Sequence, residues 1–164
     1  MFLVIKFCKL ALSFSMVVFV AGCAFSAVER PDLSSANQPV IASYNLSIEE
    51  ATKNATSSLT MIGYNPIIAP DGGITTNYVA IAIPENCDCG TWNNKVVTGT
   101  ADSQFNINFI GEENVRMDLK FTCTATFTAT NLYGVPTRSE KYDCASKGLS
   151  ERAFLDKFNE FLKP

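Results

Sequence analysis

From Val115 to Thr128 the chain alternates without a break. Val115, Met117, Leu119, Phe121, Cys123, Ala125 and Phe127 fall on one side, and Arg116, Asp118, Lys120, Thr122, Thr124, Thr126 and Thr128 on the other. Side chains of an extended strand point to opposite faces in turn, so this run reads as a strand with one buried and one wet face. Antiparallel sheets allow that arrangement. Gln104 to Ile110 repeats it, with Phe105, Ile107 and Phe109 opposed to Gln104, Asn106 and Asn108. Gly111-Glu112-Glu113-Asn114 between them reads as the hairpin turn.

Helical signals bracket this sheet. Ser47-Ile48-Glu49-Glu50 is a capping box, in which the serine hydroxyl caps the Glu50 amide and Glu50 reaches back. Ile48, Ala51, Ala55, Leu59 and Ile62 follow at helical spacing, and Gly63 suits the position after the helix end. A second helix is expected after Ser150. Phe154, Leu155, Phe158, Phe161 and Leu162 form its apolar stripe, with Glu151, Arg152, Asp156, Lys157 and Glu160 outside. Tyr64 to Ala69, interrupted by Pro66, and Ile74 to Ile83, ending at Pro84, read as a hairpin around Pro70-Asp71-Gly72-Gly73. Proline places the first of these strands at an edge. Residues 85–103 read as a long loop holding Trp92 and room for a minor strand at Val96-Val97, and 131–149 read as another loop. The expectation is an α+β domain. Its antiparallel sheet has about four strands, with N- and C-terminal helices packed on one face, in the order α-ββββ-α. At 164 residues, 47% hydrophobic and 18% charged, one domain with a proper core is expected.

The N-terminus has a separate logic. Lys6 and Lys9 precede a run from Leu10 to Ala21 that is apolar apart from two serines. It falls short of the roughly 20 residues of a membrane span and reads as a secretory signal. It ends in Val20-Ala21-Gly22-Cys23, which resembles a bacterial lipobox. That resemblance implies a signal peptide over residues 1–22 and lipidation at Cys23. Ala24, rather than aspartate, follows that cysteine, which by the enteric sorting rule implies the outer membrane. Residues 23–45, with Pro31, Pro39 and scattered Ser and Asn, read as a flexible tether, and 46–164 as the single domain. Acidic residues outnumber basic ones, 16 to 13, so the acyl chains would hold the membrane rather than charge.

With Cys8 in the signal and Cys23 lipidated, four cysteines remain: Cys87, Cys89, Cys123 and Cys144. In an exported protein an even number implies two disulfides. A Cys87–Cys89 bond would close a very tight ring and is disfavoured. Cys87–Cys123 with Cys89–Cys144 is preferred, and the crossed pairing stays open. Structural zinc sites use C-x2–4-C pairs and redox sites C-x-x-C, whereas Cys87-Asp88-Cys89 is C-x-C. The element order, the Gly63-Tyr64 helix exit, Cys89-Gly90 and the stretch from Cys144 to Gly148-Leu149 resemble small α+β domains of Gram-negative envelope lipoproteins. Those of the C component of the barrel-assembly machinery are among them.

The chain has no histidine, which removes His-based triads and His-ligated metals. No nucleophile elbow, phosphate loop or dinucleotide fingerprint occurs. Glu49-Glu50 belongs to a helix N-terminus and Glu112-Glu113 to a turn, both structural placements. Asp71-Gly72-Gly73 lacks the spacing of a calcium loop. No cofactor, metal or nucleic-acid partner is expected. Two function classes remain: a non-catalytic binding or assembly accessory of the envelope, which is preferred, and a cell-wall or polysaccharide hydrolase. Clustered acids in a deep pocket would favour the hydrolase, and a shallow wet sheet face the accessory. The expected partner face comprises Arg116, Lys120, Thr122 and Thr124, and the expected partner is an envelope protein.

Overall fold

A computed structural model describes residues 28–33, 38–92, 95–130, 133 and 135–163. In chain order its elements are β1 (Val28–Glu29), β2 (Val40–Tyr44), α1 (Ile48–Met61), β3 (Pro66–Ile68), β4 (Ile74–Thr76), β5 (Val79–Ala82), α2 (Ile83–Asn86), β6 (Cys87–Asp88), β7 (Thr91–Trp92), β8 (Lys95–Val96), β9 (Thr100–Ile110), β10 (Val115–Thr130), β11 (Pro136–Ser146) and α3 (Leu149–Glu160). Among the described residues these make an α+β fold with three helices and an antiparallel main sheet. That sheet has eight strands rather than the expected four or so. Its path is β3-β4-β9-β10-β11-β6, with β5 also on β9 and β2 also on β10.

The additional strands arise because each long strand shares an edge between two short partners. On β9, β4 sets Ile74 and Thr75 opposite Ile107 and Asn106, while β5 sets Val79–Ala82 opposite Ser103–Thr100. Thr76 lies at the break. Its hydroxyl accepts the Phe105 N–H at 3.0 Å, and its carbonyl accepts the Gln104 amide at 2.7 Å. The stretch read as one strand to Ile83 is therefore two, followed by α2 with Pro84 in its first turn. On β10, β2 sets Val40–Tyr44 opposite Leu119–Val115, and β11 sets Cys144 opposite Cys123. Residues 40–44 are thus a strand rather than the end of a tether, and much of the loop expected at 131–149 is β11. A small second sheet, β1-β7-β8, completes the set.

The capping box is present: Glu50 N–H donates to Ser47 Oγ, and Ser47 N–H to the Glu50 carboxylate, each at 3.2 Å. Ala51, Ala55 and Leu59 are fully buried on the inner side of α1. That helix packs on β9 and α3 packs on β10, and the two helices touch each other. The odd-numbered face of β10 lies beneath them, with Val115, Met117, Leu119, Phe121, Cys123 and Ala125 all buried. Phe105 sits at the centre of an aromatic cluster, 4.9 Å from Tyr64, 4.8 Å from Phe121 and 5.8 Å from Phe154 between ring centroids. Phe158 extends the cluster to Tyr44 of β2 at 4.8 Å. Each fully buried phenylalanine contributes about 1.5–3 kcal/mol of transfer free energy.

Candidate functional site

The described helices cover one face of the sheet, and on the other Arg116 and Lys120 are exposed and Thr122 and Thr124 half-buried. Arg116, Lys120, Thr122 and Thr124 all stand on that second face, distributed along β10 rather than gathered in a pocket. Eight residues of strand separate the first from the last, about 27 Å at 3.4 Å per residue. Their surroundings follow from register: Asn108 is opposite Asp118, Asn106 opposite Lys120, Gln104 opposite Thr122, and Asp102 and Asp143 flank Thr124. The centre of the face is therefore amide and hydroxyl, with charges toward the ends.

Each of the four has a distinct role there. Arg116 turns along its own strand and clamps Asp118 with two hydrogen bonds of 2.8 Å. The Arg116 hydrogen bond holds the Asp118 carboxyl below its ordinary range, and the same bond raises Arg116. Asp118 shares this face but is not in the expected partner set. The signal was there, because positions two apart on a strand share a face. Thr122 Oγ donates to the Gln104 carbonyl and Thr124 Oγ to the Asp143 carboxylate, each at 3.3 Å. Lys120 is exposed and, among the described residues, has no ion-pair partner; Lys141, opposite Thr126 on the same side, is a second such cation.

The cysteines meet beside this face, on its inner side. Cys87 bonds Cys123, and Cys89 bonds Cys144, the preferred pairing of the two left open by spacing. Cys144 is directly opposite Cys123 on β10, and β6 pairs β11 one residue away. All four are buried, at 0–1% exposure. The bridges span 36 and 55 residues, and closing loops of that size stabilises by about 4 kcal/mol each in the chain-entropy account. They tie the base of the β10–β11 hairpin to β6. Cys23 lies outside the described residues.

Two grooves flank the sheet. One, of about 450 Å³, runs between Tyr44, Leu46, Glu50 and Lys53 on one side and Phe161 and Leu162 on the other. The second, of about 640 Å³, lies where β9 and β10 part, and Ile83, Val97, Ala125, Phe127 and Tyr142 line it. Neither brings two carboxylates together: Glu50 is the one acid of the first groove and the second has none. No group of three or more Cys, Asp or Glu among the described residues is arranged to hold a metal ion.

Glu151 corrects an expectation. Assigned to the outer side of α3, it is buried. One carboxylate oxygen accepts from Ser146 Oγ at 2.6 Å, and Ser146 Oγ in turn accepts the Gly148 N–H at 3.1 Å. The other oxygen has no hydrogen-bond partner among the described residues. Nearby, the Tyr64 hydroxyl meets Ser103 Oγ at 2.7 Å; burial raises the Tyr64 pKa, and that hydrogen bond offsets part of the rise.

Comparison with protein-family models, with curated proteins and with solved structures finds no match for this chain.

Proposed function

We propose that this chain is a lipid-anchored, periplasm-facing accessory of a bacterial outer membrane, which binds or helps assemble other envelope components by contact rather than by turnover. The observation that carries this reading is the open β9–β10 face. It follows the longest strand from Arg116 to Thr124, the described helices lie behind it, and Lys120 stands on it without an ion-pair partner among the described residues. A flat face of amides, hydroxyls and separated charges is suited to a broad, wet protein contact, in which polar groups fix the register. Two disulfides fit an oxidising compartment. The sequence Val20-Ala21-Gly22-Cys23 supplies the anchor. The envelope protein that occupies the face is the partner.

Capture from detergent-solubilised envelopes tests this. The wild-type chain should retain a discrete partner that the double variant Arg116→Glu, Lys120→Glu loses while staying folded. Exposed substitutions usually alter stability by within about 0.5 kcal/mol. Equal capture by both chains removes the face from the account. Cleavage of peptidoglycan by the purified chain would replace contact with catalysis.

A further inference from the structure

Three of the four bridged cysteines fall in one row across the sheet, whose strands run β10-β11-β6. Asp88 is opposite Ala145, so the same register carries Cys89 opposite Cys144, with Cα atoms 4.4 Å apart. On its other side Cys144 is opposite Cys123. Cys144 therefore has a cysteine on either hand. It is bonded to Cys89, while Cys123 is bonded to Cys87 of β6.

The unused neighbour is within bonding reach. Phe105 donates its N–H to Thr76, away from β10, so its register partner Phe121 turns its backbone polar groups away from β9. Cys123, two residues on, turns the same way, toward β11. Cys123 and Cys144 are thus a hydrogen-bonded pair, with Cα atoms about 5.5 Å apart. Disulfides span Cα separations of about 4.4–6.8 Å. The two sides of the row differ in how firmly they are held. β10 and β11 stay paired from Cys123 and Cys144 out to Thr130 and Pro136. The other side is built from β6, β7 and β1, each two residues long, with Gly90 against Glu29 of β1. Pairings this short open locally at lower cost than a long hairpin, and such opening brings the buried bridges within reach of a thiol.

Whichever bridge a dithiol attacks first, the product is the same. Reduction of Cys89–Cys144 leaves a Cys144 thiolate beside Cys123. It attacks Cys123 Sγ, the Cys87–Cys123 bond breaks, and Cys87 leaves as a thiolate that takes up a proton. When Cys87–Cys123 is reduced first, the Cys123 thiolate attacks Cys144 Sγ, and Cys89 leaves instead. By either route one external dithiol becomes a disulfide, and two protein disulfides become one disulfide and two thiols.

We propose that the four cysteines form a redox switch, in which a dithiol reductant converts the two bridges into a single Cys123–Cys144 bond across the hairpin and releases Cys87-Asp88-Cys89, with β7 and β1, as a free dithiol segment. The main sheet keeps a covalent tie in both states. The switch uses neither the Arg116–Lys120 face nor the lipid anchor.

Stepwise reduction of the full chain in detergent with dithiothreitol tests the proposal. Samples are quenched in acid, labelled with a maleimide and digested for mass spectrometry. The species with two labels among these four cysteines should carry them at Cys87 and Cys89 and yield a Cys123–Cys144 crosslinked peptide. In that species amide exchange should quicken in β1 and β7 and stay slow at Phe105 and Phe121. The double variant Cys87→Ser, Cys89→Ser should form the Cys123–Cys144 bond on air oxidation. Should that variant fail to fold, the two-label species of the wild-type chain decides alone. The proposal is overturned by two labels on one original pair, Cys89 with Cys144 or Cys87 with Cys123, or by passage from no labels to four without a two-label species. It is also overturned if the two-label species keeps β1 and β7 as protected as before reduction, or if the folded double variant keeps both thiols free.

Discussion

Arg116 brings a positive charge to the open face, and Asp118 neutralises it from two positions along the same strand. The pair is a surface one and contributes little to stability. Its effect is electrostatic: it balances Arg116 within its own strand, whereas Lys120 has no such neighbour. Because the folded pKa of Asp118 is lowered, the contribution of the pair is complete above the ordinary aspartate range. It is lost as pH falls through the lowered value. A carboxyl titration followed by NMR should place the Asp118 midpoint below that of an unperturbed aspartate, and Arg116→Gln should move it up. An unmoved midpoint would mean that the clamp is absent in solution. Residue-scale legibility was uneven. Buried Phe154 and Phe158 follow from helical spacing, whereas Glu151 does not. A carboxylate in the first turn ordinarily faces water near the helix dipole. What draws this one inward is Ser146, which belongs to another element and has no local signature.

At the scale of elements, the strands that were legible are those with one dry face. β9 and β10 lie over the helices, so their alternation is written in the sequence. β11 has Tyr142 and Cys144 buried near its end, but Ser139, Glu140 and Lys141 exposed where the hairpin extends past the core. With both faces wet there is no hydrophobic period to read. β2 is five residues after Pro39 and becomes a strand only because the edge of β10 is there to receive it. The N-terminal β1 depends on a glycine in a similar way. A Cβ on Gly90 would collide with the Glu29 carbonyl oxygen, and its φ of +79° is left-handed. Gly90→Ala should therefore detach β1 and separate Arg30 from the Tyr142 ring, 5.9 Å below it. Faster amide exchange at Glu29, with the main sheet unchanged, is the expected reading. The cysteines set the other constraint. Cys144→Ala should cost about 2–5 kcal/mol in denaturant and leave the Cys89 thiol free for alkylation. Unaltered stability would show that the Cys89–Cys144 bridge adds nothing to the fold.

Across the whole molecule, β1 and β2 shorten the stretch that reads as a tether. The expected tether of residues 23–45 would span about 26 Å as a flexible chain. With β1 beginning at Val28, only four residues of sequence lie between Cys23 and the first described strand. If the proposed anchor is Cys23, Cys23→Ser should release the chain to the soluble fraction and abolish acyl labelling. Persistence in the membrane fraction with labelling intact would remove Cys23 as the anchor. The general plan of helices behind an antiparallel sheet could be read from periodicity and caps. The doubling of strand number could not, because it comes from edge sharing between elements distant in sequence. The central claim is that the open face of β9 and β10 is where this protein meets its partner. The most direct measurement is photo-crosslinking in intact envelopes, with a photoreactive residue at position 120 and a control at Lys53, exposed on α1. The account predicts a discrete crosslinked envelope protein from position 120 and none from position 53. A product from position 53 alone, or the absence of any product from position 120, would contradict it.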